Sequence, residues 1–80
     1  MTTKEVKIYY KKQENILKDV DKFIDYALVN LTQASERISG YADTDFKKII
    51  YNAIVHITIL SETIKKEAEN FTILNTFLKE

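Results

Sequence analysis

Apolar residues recur along this chain at alternating spacings of four and three. In the first half the series runs Val6, Tyr10, Gln13, Leu17, Val20, Ile24, Ala27, Leu31, Ala34, Ile38, with Gln13 its polar member. In the second half it runs Phe46, Ile50, Ala53, Ile57, Leu60, Ile64, Glu67, Phe71, Leu74, Leu78, broken by Glu67. A repeat averaging 3.5 residues, held through both halves, is the seam of a left-handed coiled coil. No segment of comparable length alternates with a period of two, so strands are not expected.

Backbone punctuation agrees. The chain has no proline, and its single glycine, Gly40, stands at the midpoint of 80 residues. The pattern predicts helix one over about 3–38, a turn at 39–43 and helix two over about 44–79, in one domain spanning 1–80. Gly40 is expected to take a left-handed conformation that ends helix one. Asp43 or Thr44 is expected to cap helix two, with Asp45 near its positive end. A turn this short makes the helices antiparallel neighbours, each about 50 Å long at about 1.5 Å per residue. The fold class is all-α, an antiparallel helical hairpin.

Two helices have no third layer, so apolar side chains outside the mutual seam stay in water. Ile16, Phe23 and Leu28 on the first helix are of this kind, as are Ile49, Ile54, Val55, Ile59, Ile73 and Phe77 on the second. Burying one such side chain is worth about 1.5–3 kcal/mol. Leaving half a dozen exposed forfeits on the order of 10 kcal/mol, comparable to the whole stability of a small domain. These residues are therefore expected to bind a protein partner. A second hairpin, from another copy or a different chain, would close a four-helix-bundle dimer.

Composition narrows the remaining routes to stability. The chain has no cysteine and one histidine, which excludes disulfides and thiolate metal sites and leaves no multi-His site. Domains this small otherwise rely on association. Twelve basic and twelve acidic residues cancel, unlike a nucleic-acid module with its basic excess. The lysines at 4, 7, 11 and 12 are interrupted by Glu5 and Glu14 and read as a solvated helix face. The apolar run from Ile49 to Leu60 is too short to span a bilayer, and no cleavable signal is visible at the start. No membrane insertion and no nucleic-acid partner are expected.

Catalytic chemistry finds little footing. One glycine cannot build a phosphate-cradling loop. His56, set among Ile54, Val55, Ile57 and Ile59, reads as a core or interface residue rather than a base or ligand. Asp21 and Asp25 lie one turn apart, but Lys18, Lys22 and Lys47 intersperse the acids and point to a mixed-charge surface. Glu67 can pair with Lys11 or Lys12, or hydrogen-bond Gln13, if the hairpin brings them level. Tyr9, Tyr10, Tyr26, Tyr41 and Tyr51 suit packing and interface margins. No catalytic residue, metal or cofactor is expected.

The segment Ile38-Ser39-Gly40-Tyr41-Ala42-Asp43-Thr44-Asp45-Phe46 resembles the central turn of the WXG family of small type VII secretion proteins. That turn reads Trp-x-Gly-x-Ala-x-x-x-Phe. Gly40, Ala42 and Phe46 match in identity and spacing, and Ile38 stands at the tryptophan position. Physically, Gly40 would permit the reversal, Ala42 the approach of the helices, and Ile38 and Phe46 would plug the closed end. The resemblance implies a four-helix-bundle dimer, made in the cytoplasm and exported without a cleaved signal. Such a protein acts as a secreted factor or as the escort of a larger effector. The family's C-terminal Tyr-x-x-x-Asp/Glu export signal is approximated only by Phe71 and Asn75, which favours the escort role. A second reading is a phage or bacteriocin-immunity-type helical regulator that blocks a target protein and stays in the cytoplasm. Neighbouring genes would separate the two.

Overall fold

A computed structural model describes residues 2–78. They form a hairpin of two long helices, α1 (Thr3–Arg37) and α2 (Thr44–Phe77). The rod measures 61 × 16 × 14 Å. The expected extension of helix two to residue 79 lies outside the described residues, since α2 ends at Phe77 with Leu78 as its cap.

Each helix starts on a side-chain cap. Thr2 Oγ1 accepts from the Glu5 amide at 3.2 Å. Asp43 Oδ1 accepts from the amides of Asp45 (3.0 Å) and Phe46 (3.2 Å), so Asp43 rather than Thr44 is the cap of α2. These bonds satisfy amides that have no partner inside the first turn. α1 closes on Ile38, whose N–H reaches the Ala34 carbonyl while Tyr41 N–H reaches Ile38 O at 2.9 Å. Lys47 Nζ crosses the turn to the Ser39 carbonyl at 2.8 Å and puts a cation at the negative end of α1.

Gly40 corrects the sequence reading. No described glycine has positive φ, so α1 does not end in a left-handed residue. A Cβ built at Gly40 would meet nothing within 4 Å. The reversal instead uses a right-handed cap at Ile38 and an extended Asp43. Ala42 is exposed and does not sit between the helices. Ile38 is half-buried as expected, but Phe46 remains 46% exposed, edge-on to Tyr41 with ring centroids 6.0 Å apart.

The seam follows a heptad rhythm in a different phase. Along α1 it consists of Tyr10, Glu14, Leu17, Asp21, Ile24, Leu28, Leu31, Ser35 and Ile38, all buried or half-buried. Along α2 it consists of Ile50, Ile54, Ile57, Ser61, Ile64, Ala68, Phe71, Asn75 and Leu78. Every second layer therefore sits one residue later than the apolar pattern predicts. Val20, Ala34, Phe46, Leu60, Glu67 and Leu74, expected inside, are exposed. Asp21, Ser35, Lys47, Ser61, Ala68 and Asn75 take their places. Among the described residues only Ile64 and Ala68 are buried hydrophobes, so the core between the two helices is thin.

Candidate protein-binding face

The shift in phase follows from polar contacts. Glu14 is 3% exposed between the helices. Its carboxylate accepts from Thr72 Oγ1 on α2 at 2.5 Å and pairs with Lys18 Nζ at 2.9 Å and Lys11 Nζ at 3.3 Å. The Thr72 hydroxyl, then Lys18 and Lys11, hold its pKa down from 4.5 to about 2, against the opposing effect of burial. Farther along, Lys65 Nζ meets Asp21 at 3.0 Å and Asp25 at 3.2 Å, and Ser61 Oγ at 2.7 Å. Asp21, then Asp25, raise the Lys65 pKa. Ser61 completes the cluster by donating to Asp25.

All of these groups line one broad side of the hairpin. An antiparallel pair has a pseudo-two-fold axis through that side, so equivalent heptad flanks of the two helices share a face. Lys18 and Asp25 on α1 and Lys65 and Thr72 on α2 occupy equivalent flanks, as their contacts require. The opposite flanks share the other face. There α1 presents Ile16, Val20 and Phe23, and α2 presents Phe46, Ile49, Leu60, Leu74 and Phe77, all exposed. Phe23 at 72%, Ile49 at 64% and Phe77 at 76% stand farthest into solvent. An apolar stripe of each helix thus points out of one face of the rod, beside the seam rather than into it. Its members Val20, Phe46, Leu60 and Leu74 belong to the series the sequence pattern picks out as the seam, while the alternate members of that series, such as Leu17, Ile24, Ile57 and Ile64, do pack between the helices.

The proposed partner-binding residues divide accordingly. Ile16, Phe23, Ile49 and Phe77 come together on the apolar face. Val55 flanks the seam on the polar side, and Ile59 and Ile73 lie on the outer side of α2, all three exposed. Leu28 and Ile54 are corrected: both are half-buried seam residues. Phe71 and Asn75 are seam residues as well. Phe71 packs on Tyr10 with centroids 5.7 Å apart, and Asn75 Oδ1 is buried without a hydrogen-bond partner.

Several polar expectations are also revised. Glu14, read as part of a solvated face, is the most buried acid described. Glu67 is exposed on the apolar face, and no ion pair joins it to Lys11 or Lys12 among the described residues. Gln13 and Glu67 are not level, because Glu14 faces Thr72 and Asp21 faces Lys65. His56 is exposed on the same side as Glu67 rather than partly buried. One signal for Glu14 was legible: it stands four residues after Tyr10 and three before Leu17, within the alternation itself.

Among the described residues, no group of three or more His, Cys, Asp or Glu could hold a metal ion. No described helix is long and apolar enough to cross a membrane. Comparison with known proteins returns no matching family model, curated sequence or solved structure.

Proposed function

We propose that this chain is a non-enzymatic binding protein that lays its apolar face on another helical hairpin and closes a four-helix bundle. One observation carries this reading: Ile16, Val20 and Phe23 of α1 and Phe46, Ile49, Leu60, Leu74 and Phe77 of α2 stand exposed on a single face, outside a seam that itself takes in Glu14, Asp21 and Ser61. Helices in four-helix bundles direct such a stripe to the common core. The rod is 61 Å long and 16 Å wide. Its broad face therefore offers roughly 1,000 Å², against about 800 Å² per partner in a standard stable interface.

The likeness of Gly40, Ala42 and Phe46 to the WXG turn supports placing this protein with type VII secretion, as a secreted factor or as the escort of an effector's helical region. Phe71 and Asn75 lie in the seam, where an export receptor would not reach them, and this favours the escort role.

Co-expression with the products of adjacent genes, followed by sizing, tests the reading. The expected product contains two hairpins, and Phe23→Glu abolishes it while leaving the helical content intact. A wild-type chain that stays a sharply melting monomer at high concentration, with or without those products, would overturn it. Export by the type VII route predicts appearance in the medium only while that system's ATPase is active.

A further inference from the structure

We propose that the occupant of the apolar face is a second copy of this chain, laid antiparallel so that α2 packs on α2 and α1 on α1 about one two-fold axis across the middle of the rod. This rests on the docking face argued above and adds its partner and geometry.

The first support is charge. The apolar stripe of α2 contains two ionisable side chains, His56 and Glu67, both exposed. They lie eleven positions apart, about three helical turns, and so on nearly the same side of the helix. Their midpoint falls between Ser61 and Glu62, within one residue of the midpoint of α2 (Thr44–Phe77). Antiparallel self-packing about that point brings each His56 opposite the other copy's Glu67, twice by symmetry. An unrelated partner would have to supply an acceptor for His56 and a donor for Glu67 at matching heights.

The second support is the series of apolar residues around this pair. The same axis sets Phe46 opposite Phe77 and Ile49 opposite Leu74. Mirrored positions follow from any heptad repeat; here they pair aromatic with aromatic and aliphatic with aliphatic at the two ends of the stripe, while nearer the axis Ala53 faces Asn70 and Leu60 faces Thr63. These four are exposed and reach from the turn to the open end of α2. A partner of the same length is needed to cover them all.

The third support comes from α1, which was not used to find the axis. Asp21 touches Lys65 and Asp25 touches Ser61, so Phe23 lies level with the stretch between Ser61 and Lys65. The axis at α2's centre therefore passes close to Phe23, and the two copies' Phe23 rings meet across it. An isologous contact of this kind buries the same patch on both chains. With equal numbers of acidic and basic residues, no net charge opposes the approach.

Charge reversal at the pair tests the arrangement, with the dimer dissociation constant measured by analytical ultracentrifugation. Both positions are exposed in the hairpin, so circular dichroism should show unchanged helicity. His56→Glu and Glu67→Lys should each weaken dimerisation about tenfold or more, and the double variant should recover to within about threefold of wild type. Because the chain has no cysteine, a mixture of Ile49→Cys and Leu74→Cys variants should form a mixed disulfide that a parallel dimer would not. A dimer whose double variant is no better than the singles would overturn this geometry while the docking face stands. A wild-type chain that is monomeric, yet binds a co-expressed helical protein in a Phe23-dependent way, would overturn the second-copy assignment alone.

Discussion

Glu14 and Gly40 are the two residues whose local roles the structure changes most. The native fold favours the ionised Glu14, because its pKa falls from 4.5 to about 2, chiefly through the Thr72 hydroxyl and then Lys18. The associated stability is fully present above pH 4.5 and is lost as pH falls toward 2. Thermal melts of wild type should decline over that window, and those of Glu14→Gln should decline less. NMR titration of Thr72→Val should show the Glu14 pKa moving back up toward 4.5; an unchanged value would remove Thr72 as the main cause. At Gly40 the backbone is not left-handed and an added methyl meets nothing. Gly40→Ala should therefore be tolerated or stabilising, by about 0.4–1 kcal/mol, through a less flexible unfolded chain. Chemical denaturation would measure it, and a loss of stability would show that the turn needs glycine itself.

The two helices depend on their ends and on a sparse seam. Asp43 satisfies two amides of α2, so Asp43→Ala should cost about 1 kcal/mol in denaturant melts. Ile57 is a half-buried member of the seam in the sequence pattern and in the structure alike. Ile57→Asp should abolish cooperative melting, since it sets an unpaired charge between the helices; unaltered helicity and melting would misplace the seam. Helix lengths, the hinge region and a cap at Asp43 or Thr44 were legible because they are local matters of spacing and turn chemistry, and the structure selects Asp43. The packing phase was not legible. The stripe of Val20 and Leu60 and the stripe of Asp21 and Ser61 differ by one residue and share the same alternation. Apolar content favoured the first. The second packs inward because Glu14 finds Thr72 and Lys65 finds both aspartates, pairings between residues far apart in the chain.

At the scale of the whole rod, one face is polar and internally paired while the other is apolar and unpaired. A hairpin with two buried hydrophobes among its described residues has a small core of its own, and on the proposed reading docking supplies much of its stability. Its melting temperature should therefore rise with protein concentration, by several degrees over a hundredfold range, as mass action on a folded assembly requires. A melting temperature independent of concentration would identify a self-sufficient monomer.

The sequence by itself determined two helices of nearly equal length, their reversal at the midpoint and the existence of more apolar surface than two helices can hide. These follow from periodicity, chain length and the scarcity of helix breakers, each readable residue by residue. Tertiary structure alone decided which way the stripes point. Turning each helix by roughly 50°, half the rotation per residue, keeps the same three-and-four spacing, and the choice is made by hydrogen bonds and ion pairs that exist only once the helices lie side by side.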